Sequence, residues 1–378
     1  MKTLTRTACA VFETEDLESL YTFKNFPVFM GCTSDDISDD IYHDMSWSIS
    51  RSSGLIQLAE LLPLDVLYMA SHGSGSVGKM WVKHHASFAE FINRFSPNSV
   101  LEIGGGHGIL SIEYGKFRKI DWTIIEPNPT PRADSKAKII KGFFNGDWVS
   151  DDKYDTVIHS HVFEHVYEPN VFMENLSSFM QNGSKLIFSV PNMQEMMKRK
   201  YTNCINFEHT LLLSEPYIEF LLARHGFRLV SKEYFLEDHS IFYAAEKDST
   251  IDLQPNLDGL YERNKKLYGD YLQYHEDLIT DLNENAARHN GDLFLFGAHV
   301  FAQYLINMGL DTRSVISILD NDENKEGKRL YGTNLLVESP KVLKDRIKPV
   351  VILKAGVYND EIKAEILQSI NDSTVFIE

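Results

Sequence analysis

The sequence predicts an α/β protein organised around a mainly parallel β-sheet, with a second, smaller α/β unit towards its C-terminal end. Three observations carry this. Between residues 76 and 250 short apolar runs alternate with helical periodicity, the pattern of strand–helix–strand crossovers. The apolar run 99–103 leads straight into a cluster of glycines and then a helix. After Asn290-Gly291 the alternation resumes, with strands expected at 293–296, 315–319 and 350–353.

Composition narrows the class. At 378 residues the chain exceeds one ordinary domain. A hydrophobic fraction of 43% and an aromatic fraction of 12% supply real cores, which excludes a disordered chain. The formal net charge of −17, with no Lys/Arg-rich stretch, repels phosphate backbones, so no nucleic-acid partner is expected. Cys9, Cys32 and Cys204 are odd in number and widely spaced, which fits neither a disulfide framework nor a paired-cysteine metal site. The first residues turn acidic instead of forming a leader, and no apolar run approaches the ~20 residues that span a bilayer. A soluble, cytoplasmic protein with no membrane partner is expected.

Taken in order, residues 1–75 are loop-rich, with scattered acids at Asp35, Asp36, Asp39 and Asp40, and end in a Gly/Ser stretch. They read as a small lid or substrate region. Residues 76–250 hold the main sheet: a helix over about 77–95, strands at 99–103 and 122–125, a strand at 156–159, a helix over 171–180 and a strand at 185–190. A helix over 216–225 stops at Gly226, and strands at 228–235 and 240–245 sit close enough to pair antiparallel. Residues 251–290 read as a helical connector, with Tyr268, Tyr271, His275, Leu278 and Leu282 on one face. Residues 291–378 form the C-terminal Rossmann-like unit.

The chemistry starts at Val100–Gly108, V-L-E-I-G-G-G-H-G. Glycines there let the backbone bend sharply and approach a ligand closely. A dinucleotide site wants G-x-G-x-x-G, but counting from Gly104 the third glycine position is Ile109, and the pattern is G-x-G-x-G. Glu102, just before the turn, would repel a pyrophosphate and suits a ligand carrying an amino group and a sulfonium. Glu126 ends the next strand, where a carboxylate can take both hydroxyls of a ribose. Together these residues resemble the class I S-adenosylmethionine (SAM)-dependent methyltransferases. The resemblance implies SAM as cofactor, held by Glu102, Gly104, Gly106, Gly108 and Glu126. His161, in the loop after the third strand, would lie over its methionine part, and His165 in the same loop would face the acceptor.

On the acceptor side, Asn206-Phe207-Glu208-His209 follows the strand ending at Val190, and a Glu-His pair can act as base plus orienting carboxylate. The run from Asn206 to Phe227 resembles the three-domain nucleotide-sugar C-methyltransferases, as do Phe296-Gly297-Ala298, Leu319-Asp320-Asn321 and Glu338-Ser339-Pro340 in the tail. That resemblance implies a C-terminal domain without its own cofactor and a nucleotide-linked keto-sugar as small-molecule substrate. It makes His209 the base, with Glu208 orienting, His165 at the acceptor and Tyr68 closing over SAM. Two departures stand out. The family's N-terminal unit binds zinc through four cysteines, whereas Cys9 is followed here by Phe12, Ser50 and Ser53, so no metal is expected. The family's tyrosine before Glu-His is Asn206, which keeps O-methylation of a sugar or related metabolite as the alternative. A subunit that keeps the fold without turnover is the alternative of a different class. Oligomeric state is not legible.

Overall fold

The structure, a computed structural model, describes residues 2–67, 78–150, 152–248, 256–355 and 358–378. The expected contribution of Tyr68 falls outside these residues.

The chain forms two compact units. The first comprises Met1–Leu20, Trp47–Arg199 and Asn206–Lys265; the second comprises Tyr21–Ser46, Lys200–Ile205 and Lys266–Glu378. The first unit carries a seven-stranded sheet. Its strands are β1 (Ser99–Ile103), β2 (Asp121–Glu126), β3 (Lys138–Lys141), β4 (Thr156–Ser160), β5 (Lys185–Pro191), β6 (Phe227–Phe235) and β7 (Ser240–Lys247). They lie in the order 6-7-5-4-1-2-3, and β7 alone runs antiparallel to its neighbours. The central strands are buried on both faces, so they read as continuous apolar runs without alternation: Val100, Leu101, Ile124, Ile158 and Ile187 are each fully buried. The edge strand β3, Lys-Ile-Ile-Lys, carries too little apolar sequence to be anticipated.

Helices cover both faces. Helix α1 (Lys79–Asn93) buries Phe88, Ala89, Phe91 and Ile92 against one cluster that includes Val100, Ile158 and Phe242. Helix α2 (Ile109–Tyr114) follows the glycine turn, and α3 (Pro169–Phe179) starts with proline at its first position. Helix α4 (Met193–Lys198) and helix α5 (Glu215–Arg224) follow β5. The expected antiparallel pairing of the last two strands is present, with Phe235 opposite Ser240.

The N-terminal region is more ordered than its loop-rich composition suggested. Leu17–Pro27, Tyr42–Ser50 and Ile56–Leu58 form a three-stranded sheet. The signal was there in Met45, Trp47 and Ile49, which alternate with polar residues and are fully buried.

In the second unit, β8 (Leu293–Phe296), β9 (Val315–Leu319), β10 (Val337–Glu338), β11 (Val350–Leu353) and β12 (Val375–Ile377) form a parallel sheet in the order 10-9-8-11-12. The last part of α6 (Leu260–Ala287) packs Leu278, Ile279 and Leu282 into this unit's core, as the apolar stripe predicted. The glycine turn after β8 is closed by its own chain: Asp320 Oδ2 accepts from the Ala298 N–H and from Lys325 Nζ, both at 2.9 Å. Arg329 anchors the segment 35–40 by donating to the carbonyls of Asp35 and Asp36 and to both oxygens of Asp40, the latter at 2.7 Å. No helix among the described residues is long and apolar enough to cross a membrane.

Candidate active site

The site is built at the C-terminal ends of β1, β2 and β4, where open α/β sheets present their loops to ligands. β1 ends at Ile103 and the chain reverses through Gly104–Gly108 before α2 begins. Gly104 and Gly108 have φ of 78° and 68°, the left-handed region that side chains resist. A Cβ on Gly104 would come within 2.6 Å of Val162 Cγ2, so the turn packs against the loop after β4. Gly106 differs: its nearest neighbour on that side is the Glu126 carboxylate, 3.7 Å from an ideal Cβ. The missing side chain there leaves an open face opposite the carboxylate at the end of β2. The loop after β2 wraps onto the turn, with the Thr130 N–H donating to the Gly106 carbonyl at 3.0 Å and the Arg132 N–H to the His107 carbonyl at 3.0 Å.

The two expected carboxylates take different positions. Glu126 is half-buried, accepts the Asn128 N–H through Oε1 at 3.0 Å, and is held above the usual carboxylate range by burial. Glu102 is only 3% exposed and forms the floor of the turn. Its Oε2 accepts from Trp122 Nε1 at 2.7 Å, and its carboxyl lies 2.4 Å from the ideal Cβ of Gly105. Burial pushes Glu102 up to about 7, against the hydrogen bond from Trp122. A half-buried carboxylate facing a glycine cradle fits a ribose diol and an adenosine-bearing ligand.

The expected acceptor residues lie on two loops. The short turn Phe163–His165 follows β4, and residues 206–210 follow α4. They are knitted together: the Thr210 N–H donates to the Glu164 carbonyl at 2.9 Å, and Thr210 Oγ1 donates to the Val166 carbonyl at 2.9 Å. Arg6 reaches both loops, donating to the Tyr167 carbonyl at 2.6 Å and the Thr210 carbonyl at 2.8 Å. The N-terminal strand Ile56–Leu58 holds the second loop from the other side, through Leu58 N–H to the Thr210 carbonyl at 3.0 Å and Leu212 N–H to the Ile56 carbonyl at 3.0 Å. The N-terminal segment thus frames both loops.

This knitting brings the three expected acceptor residues together. His165 and His209 have ring centres 5.0 Å apart, and His165 Nδ1 lies 3.0 Å from the Glu208 carbonyl oxygen and 4.0 Å from Glu208 Oε2. Asn206 Oδ1 accepts the backbone N–H groups of Glu208 and His209 at 2.8 and 2.9 Å. Its Nδ2 faces His209 Nδ1 at 3.3 Å.

Glu164 was not anticipated as a functional group. It is 1% exposed, and neither carboxylate oxygen has a hydrogen-bond partner among the described residues. Donor atoms of Glu164, His165 and His209 lie within 4.8 Å of one another. Burial raises Glu164, while His165 and His209 oppose that rise. The signal was the carboxylate inside His161-x-x-Glu164-His165, which places it against both histidines. His161, expected over the cofactor, is found with Nδ1 3.3 Å from Glu164 Oε1 and its ring among Trp81, His84 and His239.

The four positions compared with the family's zinc ligands also meet. Cys9 Sγ lies 3.5 Å from Ser53 Oγ and accepts the Phe12 N–H at 3.5 Å; Ser53 Oγ donates to Ser50 Oγ at 2.9 Å. The Phe12 ring stacks on Phe220 with centres 4.4 Å apart.

The strand order with its single reversed strand, and the glycine turn after β1, are joined by a direct family match. Residues 80–232 match the model of a family described as a methyltransferase domain. These residues form a methyltransferase domain. Its cofactor is SAM, and the cradle at Gly104–Gly108 with Glu126 fits that group. No curated protein matches the chain. Among solved structures, the chain is similar to the N-methyltransferase NodS from Bradyrhizobium japonicum at 14% identity, covering 46% of this chain and 99% of that one, with a TM-score of 0.35. It is similar to magnesium protoporphyrin IX methyltransferase from Synechocystis at 18% identity, covering 47% and 91%, with a TM-score of 0.36. An O-methyltransferase family protein from Burkholderia thailandensis is matched at 10% identity over 45% of this chain and 57% of its own length, with a TM-score of 0.37. The methyltransferase domain is identified by its strand order and family match, not by these partial likenesses.

Proposed function

We propose that this protein methylates a small acceptor, with a carbon of a nucleotide-linked keto-sugar as the leading substrate and His209 as the base. The observation that carries this reading is the convergence of His209, His165 and the buried carboxylate of Glu164 beside the glycine turn's partner loop. When bound, SAM supplies a methyl group on a sulfonium, already strongly electrophilic. The chain's own task is to position the acceptor and take its proton. A sugar C–H is too weak an acid for imidazole unless an adjacent carbonyl receives the charge as an enolate, hence the keto-sugar. Glu102, Gly104, Gly106, Gly108 and Glu126 form the cofactor cradle in this reading, with His161 over the methionine part and Tyr68, which lies outside the described residues, closing over SAM. Glu208 orients through its contact with His165. The meeting of Cys9, Phe12, Ser50 and Ser53 supports descent from the C-methyltransferase plan, with hydroxyl hydrogen bonds and ring stacking where that family places its metal.

Asn206 favours a second reading, O-methylation of a sugar or related metabolite, because an amide bound to backbone stands where the family has an acceptor-facing tyrosine. A screen of SAM consumption across nucleotide-linked sugars, with mass analysis of the product, tests the function. His209→Ala is expected to lower turnover by about 10²–10⁴-fold while S-adenosylhomocysteine still binds; unchanged turnover rejects the base. Deuterium uptake at the acceptor's α carbon in the absence of SAM supports carbon methylation, and turnover without such uptake supports oxygen.

A further inference from the structure

A second histidine cluster lies in the first unit, and the proposed methyl transfer draws on only one of its members, His161. His84 comes from α1, His161 from the loop after β4, and His239 from the short helix that precedes β7. Their ring centres are 5.2 Å (His84–His161), 5.4 Å (His84–His239) and 6.1 Å (His161–His239) apart. One ring nitrogen from each can be chosen so that all three lie within 4.8 Å of one another. We infer that His84, His161 and His239 form a binding site for a divalent transition-metal cation of the zinc class.

The dimensions agree with this. A metal–nitrogen bond of about 2.0–2.1 Å, plus roughly 1.1 Å from nitrogen to ring centre, puts the ring centres of a tetrahedral three-histidine site about 5 Å apart. The observed ring-centre distances of 5.2 and 5.4 Å match this, and the third, 6.1 Å, is wider by about 1 Å. The donor set is three imidazoles with no thiolate, the composition that suits zinc, copper, nickel or ferrous iron over magnesium or calcium. Three protein ligands also leave a coordination position open.

Hydrogen bonding points the same way. His84 is fully buried, and neither of its ring nitrogens has a hydrogen-bond partner among the described residues. Leaving a buried polar atom unmade costs about 1–3 kcal/mol, and a cation removes that cost for the nitrogen it takes. His161 Nε2 and His239 Nδ1 share one hydroxyl, Ser240 Oγ, at 2.9 and 2.7 Å. The hydroxyl donates to one of them and accepts the N–H of the other, which ties the two rings together.

Two further features are those of a built site. His161 Nδ1 lies 3.3 Å from Glu164 Oε1, close enough for the carboxylate to become its hydrogen-bond partner with a small ring rotation, as behind a metal-ligating histidine. His161 also holds a left-handed backbone, with φ of 52°, a strained conformation that non-glycine residues keep when their surroundings demand it. Around the rings, Trp81, Phe235 and Phe242 form apolar walls, with the Trp81 ring 4.9–5.2 Å from each of the three histidines.

The test is a titration of untagged, metal-stripped full-length protein with Co²⁺, read by its visible absorption, followed by displacement with Zn²⁺. One equivalent is expected to bind with the spectrum of a low-coordinate imidazole site. His84→Gln and His239→Asn should each weaken binding at least 100-fold, and Glu164→Gln by about 10–100-fold. S-adenosylhomocysteine calorimetry on the same variants reports whether the domain is folded. Should His84→Gln fail to fold, the less buried His239→Asn decides. Binding unaffected by His239→Asn overturns the assignment. So does binding abolished by His165→Asn or His209→Asn but not by His239→Asn, since that locates the ion on the Glu164–His165–His209 group instead.

Discussion

Asn206 fixes the proton position on His209. Its Oδ1 accepts two backbone N–H groups, at 2.8 and 2.9 Å, so the amide cannot flip without facing donors with donors. Nδ2, which can only donate, is left facing His209 Nδ1 at 3.3 Å. In the neutral ring Nδ1 is then the acceptor and Nε2 carries the hydrogen. In the proposed role as base, His209 would take the proton on Nδ1, behind a long and weak hydrogen bond.

Asn206→Asp should keep both backbone hydrogen bonds while presenting a carboxylate to Nδ1. That reverses the tautomer and favours imidazolium, so the acidic limb of kcat/KM against pH should move to higher pH. Affinity for S-adenosylhomocysteine should stay within about twofold, since the change lies on the acceptor side. A pH profile identical to the unsubstituted protein's would show that Asn206 does not control His209.

Gly106 offers a test of the proposed cofactor cradle that is separate from folding. An added Cβ meets nothing closer than the Glu126 carboxylate at 3.7 Å, an ordinary contact. Gly106→Ala should therefore leave thermal stability almost unchanged, yet weaken S-adenosylhomocysteine binding by roughly tenfold or more where ligand must approach the backbone closely. Full affinity in a calorimetric titration would remove Gly106 from the cradle.

Glu102 predicts a pH dependence of stability. Its carboxyl sits near 4.5 when unfolded and at about 7 in the fold, so the folded state holds the proton more tightly. The stabilisation is complete below about pH 4.5 and is lost as pH rises through about 7, on the order of 3 kcal/mol in all. Glu102→Gln keeps an acceptor for Trp122 Nε1 and should flatten that part of the curve. Thermal melts of both proteins between pH 4.5 and 8 check the slope.

In the second unit, the Arg329–Asp40 pair should dominate local stability. The side chains are 9% and 1% exposed, and Asp40 Oδ2 also accepts the Gly332 N–H at 2.8 Å. Arg329→Ala leaves a buried carboxylate without its partner and should cost about 3–5 kcal/mol. Arg329→Ala with Asp40→Asn should recover part of that loss, as measured by denaturant unfolding.

Much of the frame was legible in the sequence because it depends on neighbours along the chain. The strand into Gly104–Gly108, the carboxylates at Glu102 and Glu126, and the stripe from Tyr268 to Leu282 are local patterns of period and spacing. Glu208 and His209 could be singled out for the same reason. What the tertiary structure decided is which distant residues share a site. Segments 21–46 and 200–205 join the C-terminal unit although they are far from it in sequence. Glu102 faces Trp122 beneath the turn because β1 and β2 lie side by side in register, with Val100 opposite Trp122 and Glu102 opposite Ile124. His84, His161 and His239 belong to three different elements, and neither the His84-His85 pair nor the run His159, His161 and His165 singles out the member that joins the cluster. No periodicity links them, and only the packing of α1 on the sheet and the return of β7 into it bring their rings together.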